Sequence, residues 1–99
     1  MAIARINHFE AKDGCITEVR ELLTSVIDTI RGAPGCRSCR LLEAIDDDRQ
    51  FVITEVWESV EAHQAAAGAI PPVQMERAVA LLAGPPKGVY YRISGESVG

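Results

Sequence analysis

The chain has little of what most binding chemistries require. Its 99 residues include two histidines, three cysteines, one tryptophan, two tyrosines and two phenylalanines. Two histidines at distant, unmatched positions and one Cys-x-x-Cys do not supply the roughly four ligands of a structural zinc site. No Gly-rich phosphate loop, His-x-x-x-His pair or nucleophile elbow occurs, so those chemistries lack their motifs. Positive charge is also short. Ten Lys and Arg against 14 Asp and Glu leave a net charge of −4, with no basic stripe of the kind a nucleic-acid module carries. No apolar run approaches the roughly 18 residues that span a bilayer, and MAIARINHFEAKDG alternates where a signal peptide has a continuous apolar stretch. The expected setting is cytoplasmic, with no nucleic-acid or membrane partner. An odd number of cysteines fits a reducing compartment better than a disulfide scaffold.

What is present fits an ordinary globular protein. At 47% hydrophobic and 24% charged residues the chain can bury a core, and its length suits a single domain over residues 1–99, with 94–99 as a frayed tail. Ala2 to Glu10 alternates Ile3, Ile6 and Phe9 with polar residues and predicts a strand. Lys12-Asp13-Gly14 makes a turn. Val19, Leu22, Leu23, Val26, Ile27 and Ile30 fall at helical spacing, and Gly32-Ala33-Pro34-Gly35 ends that helix, with glycine as a left-handed cap.

Strand-like runs Cys36 to Ile45 and Gln50 to Glu58 flank Asp46-Asp47-Asp48-Arg49 and predict an antiparallel hairpin. Ser59 is a candidate N-cap for a short helix with Val60, His63, Ala67 and Ile70 on one face, broken at Pro71-Pro72. A second helical piece runs from about Val73 to Ala83, and Val89 to Ile93 reads as the last strand. The order predicts an α+β, ferredoxin-like βαββαβ sandwich: an antiparallel four-stranded sheet with helices on one face. Ala4, Ile6, Val52, Thr54 and Val56 would line the bare face, an apolar patch that predicts a second copy of the chain as partner.

The run PGCRSCRLLEAIDDDRQFVITEVWESVEAHQAA, preceded by FEAKDG and VRELLTSVIDTIR, resembles the antibiotic biosynthesis monooxygenase (ABM) domain over about Ile3 to Ile93. The resemblance implies a dimeric α+β barrel, a homodimer through the open sheet faces, with a pocket in each subunit between sheet and helices. It also implies a monooxygenase that oxidises a phenolic or quinol aromatic substrate with O2 and uses no cofactor, metal or flavin. Haem-degrading relatives use a first-strand Asn, a third-strand Trp and a helix histidine. Asn7 and Trp57 match the first two. The histidine nine residues after the Trp is Ala66 here, whereas His63 lies six after it, which speaks against a haem reading.

Oxygenation without a cofactor needs a substrate that becomes electron-rich once deprotonated, so the protein has to hold it, take a proton and stabilise the anion. Asn7 is a candidate catalytic residue whose amide both donates and accepts; the alternative is a polar residue at a sheet edge. His63 is the candidate general base, or else a buried imidazole satisfied by backbone. Trp57 offers a flat wall with an N–H, besides packing the core. Tyr91 and Arg92 are candidate substrate-binding residues on opposite faces of the last strand, so only one reaches a given pocket. Glu55 shares parity with Trp57 and either reaches the pocket or pairs with an arginine such as Arg5. His8 falls on the dimer side. Other functions remain open: isomerase or lyase action on a small carbonyl compound, or a non-catalytic ligand-binding dimer.

The pair in GCRSCR follows a helix and opens a strand, unlike a redox Cys at a helix N-terminus. Residues three apart on a regular strand face opposite sides with Cα atoms about 10 Å apart, which excludes a disulfide. On that reasoning Cys36 and Cys39 have neither a metal nor a redox role.

Overall fold

The structure, a computed structural model, describes residues 1–97. Its elements are β1 (Ile3–Glu10), α1 (Ile16–Ile30), β2 (Cys36–Glu43), β3 (Gln50–Trp57), α2 (Val60–Ala67), α3 (Pro72–Leu81) and β4 (Lys87–Arg92). The strands form one antiparallel sheet in the order β2-β3-β1-β4. This is the expected βαββαβ sandwich, with its second helix divided in two. Residues 94–97 carry no regular structure, and the last two residues of the expected tail lie outside the described residues.

Strict alternation on β3 builds the core. Phe51, Ile53, Glu55 and Trp57 point to the helix-covered side and are buried, while Val52, Thr54 and Val56 point to the other side and are half-buried. Val19, Leu22, Leu23 and Ile30 of α1 close over the first set. Each large apolar side chain removed from water contributes about 1.5–3 kcal/mol, so this layer holds the helix to the sheet. Ala4 and Ile6 share the bare side with Val52, Thr54 and Val56, joined by Leu42, Val89 and Tyr91, each about half exposed.

Of the stretch expected to end α1 with a left-handed glycine, Gly35 takes that conformation, four residues past the helix's own cap. Arg31 keeps a right-handed conformation, and the chain turns through Ala33 N–H to Ile30 O at 3.0 Å and Cys36 N–H to Ala33 O at 3.1 Å. Positive φ occurs instead at Gly35, +85°, where an added Cβ would lie 2.7 Å from the Ala62 Cβ. Gly35 therefore meets two demands, the turn into β2 and the close approach of α2. Ser59 caps α2 as expected, its hydroxyl accepting from Ala62 N–H at 3.1 Å. Pro72 opens α3 at its first turn, where its missing N–H has no helical partner to lose.

The hairpin strand β2 departs from regular alternation. Cys36 pairs with Trp57, but Ser38 pairs with the next β3 residue, Val56, so Arg37 is an extra residue in a β-bulge. Cys39 then pairs with Glu55. Cys36 and Cys39 consequently lie on the same, helix-covered side of the sheet, and the expectation that they face opposite ways is corrected. Regular strand geometry does not apply across the bulge.

Candidate functional site

A cavity of about 670 Å³ lies between the sheet and the helices. Strands β1 and β3 supply its floor through Arg5, Asn7, Ile53, Glu55 and Trp57, because the odd-numbered residues of both strands face the helices. Leu22, Leu23 and Val26 of α1 make one apolar wall, α2 and α3 make the other, and residues 84–86 reach the rim. Met75 and Val79 of α3 line it yet stay exposed, which puts them at its mouth. The size is that of a typical small-molecule site.

Polar groups gather at the end of the cavity near Trp57. The Trp57 Nε1–H donates to Glu55 Oε1 at 2.6 Å, and His63 Nε2 lies 3.9 Å from the same oxygen. The other ring nitrogen of His63, Nδ1, shares a 2.6 Å hydrogen bond with the Tyr90 hydroxyl, and either partner donates according to the imidazole tautomer. The His63 ring meets both Trp57 and Tyr90 edge-on, with centroids 5.5 and 5.2 Å apart. These contacts fix one orientation of the imidazole. Trp57 and Glu55 are adjacent on one side of β3, and the Ser59 cap starts α2 so that His63 comes over them.

Arg5 stands in the middle of this cluster. Its register partners are Glu55 on one side and Tyr90 on the other, and its guanidinium lies over the Tyr90 ring, 4.5 Å from the centroid. It runs across Gly88, where an added Cβ would meet Arg5 Nη2 at 2.1 Å. Glycine at 88 is thus the space Arg5 occupies. Burial pushes the Glu55 carboxyl above its ordinary range, opposed by the Trp57 N–H and by Arg5. Burial also pushes the His63 imidazole below its ordinary range, reinforced by the Arg5 charge, which favours the neutral ring.

Among the described residues, three buried polar atoms around the cavity have no partner: Arg5 Nε, Asn7 Oδ1 and Gln74 Oε1. Buried polar groups are nearly always satisfied, so one donor and two acceptors left open mark positions for a ligand's own polar groups.

Of the residues singled out from sequence, Asn7, Trp57 and His63 come together in the cavity. Tyr91 does not. It pairs with Ala4 and points to the bare side of the sheet, and Tyr90 takes the inward position beside His63. Arg92 pairs with Ile3 at the strand end, is exposed and does not line the cavity; Arg5 and Lys12 are cations that do. Glu55 both lines the cavity and neighbours Arg5 across the strands. Tyr90 and Gln74 had gone unnoticed. A polar Gln within an apolar helical stripe was the available signal for the second; for the first, only the β1–β4 register decides which of two adjacent tyrosines turns inward. Among the described residues no three His, Cys, Asp or Glu side chains converge to hold a metal ion.

Residues 2–69 match the antibiotic biosynthesis monooxygenase family. No curated protein sequence matches the chain. Among solved structures, Rv0793 from Mycobacterium tuberculosis is 25% identical, with a TM-score of 0.87 over 99% of this chain and 100% of that one. SnoaB, a cofactor-independent oxygenase from Streptomyces nogalater, is 19% identical, with a TM-score of 0.81 over 98% of this chain and 96% of that one. PA3566 from Pseudomonas aeruginosa is 21% identical, with a TM-score of 0.82 over 94% and 95%. The last two likenesses are of fold alone. With the family pattern covering β1 to α2, the strands and helix that carry Arg5, Asn7, Glu55, Trp57 and His63, the chain belongs to the antibiotic biosynthesis monooxygenase family.

Proposed function

We propose that the protein is a cofactor-independent monooxygenase that oxidises a phenolic or quinol aromatic substrate with O2. The observation that carries this reading is an oriented imidazole and a half-buried guanidinium with an unpartnered Nε at one end of a largely apolar cavity. That arrangement suits a flat apolar molecule with one ionisable hydroxyl.

In the tautomer in which His63 Nδ1–H donates to Tyr90, Nε2 presents its lone pair and takes the phenolic proton. The imidazolium so formed faces Glu55 at 3.9 Å, and Trp57 holds that carboxyl in place. Arg5 stabilises the phenolate, and Asn7 Oδ1 accepts from a second hydroxyl. The electron-rich anion reduces O2 by one electron. The resulting radicals join in a C–O bond, and His63 returns the proton to the peroxide. Loss of water then leaves a carbonyl. The sum is phenol plus O2 giving quinone plus water, with no outside reductant.

Pairing of two sheets through Ile6, Val52, Val56, Val89 and Tyr91 would complete a homodimeric barrel by covering a half-exposed apolar face. Three free thiols suit a reducing, cytoplasmic setting.

Oxygen uptake with a panel of hydroquinones and phenols, in chelator and without flavin, tests the reading. One O2 consumed per quinone formed is expected. Uptake that persists unchanged in Asn7→Ala and His63→Ala would overturn it, as would solvent-proton exchange into a carbonyl compound without oxygen uptake, the mark of an isomerase.

A further inference from the structure

A second group of reactive side chains lies outside the cavity, where the bulge in β2 brings two thiols onto one side of the sheet. We infer that Cys36 and Cys39 form a two-sulfur site for a soft monovalent d10 cation such as Cu(I), seated in the groove beneath the end of α1. The inference is independent of the oxygenase reading.

The geometry comes first. Cys36 and Cys39 pair with Trp57 and Glu55, which share one side of β3, so the bulge turns both thiols to the helix-covered side of the sheet. A disulfide would need the sulfurs to close to about 2.05 Å. A bridging ion asks less of the backbone, since two metal–sulfur bonds of about 2.3 Å in line span roughly 4.6 Å. Both thiols line the same groove. Their contacts are weak, Cys36 Sγ with Ser38 O at 3.7 Å and Cys39 Sγ with Ile27 O at 3.9 Å. An ion that displaces the two protons therefore gives up little.

Charge selects the ion. The groove is lined by Ile27, Arg31, Cys36, Arg37, Ser38 and Cys39. Two thiolates with a monovalent cation carry a net −1, which Arg37, and Arg31 although it also pairs with Asp28, partly offset; with a divalent ion the unit is neutral and gains less from them. Zinc wants about four ligands, and among the described residues no third His, Cys, Asp or Glu joins the pair. Soft thiolate ligands favour Cu(I).

The test titrates the reduced full chain with Cu(I), anaerobically, against a chromophoric Cu(I) chelator. One ion per chain is expected, with capture lost in both Cys36→Ser and Cys39→Ser, kept in Cys15→Ser, and weakened several-fold in Arg31→Ala/Arg37→Ala. Trp57, the register partner of Cys36, gives a fluorescence readout in the same titration. X-ray absorption on the unaltered chain, expected to find two sulfur neighbours on copper, keeps the test valid if a variant misfolds. Failure to compete with the chelator, capture that survives loss of either Cys36 or Cys39, dependence on Cys15, or three sulfur neighbours would each overturn the site.

Discussion

The two sides of the sheet share a backbone and differ in everything else. Along β3 the residues facing the helices are 1, 2, 6 and 0% exposed, from Phe51 through Ile53 and Glu55 to Trp57, while Val52, Thr54 and Val56 between them keep partial contact with solvent. The covered side mixes a dense core with polar groups whose ionisation burial has altered. The bare side carries mainly small and β-branched apolar residues. Burial raises the Glu55 carboxyl and lowers the His63 imidazole on the covered side, where the chemistry is proposed, while the bare side offers an apolar face for the proposed association.

This contrast can be broken in steps. The largest expected effect is on turnover: His63→Ala should lower kcat in the oxygen-uptake assay about 10²–10⁴-fold, the usual contribution of a general base, without changing the melting transition as a core deletion would. Next comes stability. Ile53→Ala should cost about 2–5 kcal/mol in urea unfolding, whereas Val52→Ala, one residue along and on the bare side, should cost less than about 1.5 kcal/mol in the monomer. If the two losses are equal, the asymmetry of the sheet is not energetic. Val56→Lys should leave the fold intact and sediment as a monomer, against the proposed dimer for the unaltered chain.

Gly88→Ala is subtler, since the added carbon displaces Arg5 from the cavity: about tenfold slower turnover is expected with little change in stability. The smallest effect is on pH dependence. His63 titrates below 6.5 chiefly through burial and secondarily through Arg5, so the acid limb of kcat/KM should lie below pH 6.5. Removing the cation favours protonation, and Arg5→Met should move that limb upward.

Much of the fold was legible because its elements announce their period: β1, α1 and β3 are long, amphipathic and bounded by turn residues. The hairpin and the Ser59 cap followed from local chemistry. Asn7, Trp57 and His63 reached one cavity because a strand parity and a helix face are both readable in one dimension. Tyr90 against Tyr91 was not, since their facing depends on where β4 docks on β1, a long-range pairing. The bulge escaped for a related reason: an extra residue shows only against a partner strand. Gly32 and Gly35 are equally capable of positive φ, and only the approach of α2 assigns it to Gly35.

The bulge at Arg37 changes how a motif should be counted. Measured in residues, the two thiols are a Cys-x-x-Cys; measured in rungs of the ladder they are a Cys-x-Cys, because one residue takes up no rung. Deleting Arg37 should restore an unbroken ladder and leave the sulfurs on a common side, with one guanidinium fewer beside them. A spacing rule written for an ideal strand therefore rejects this pair, while the same rule counted in rungs finds it.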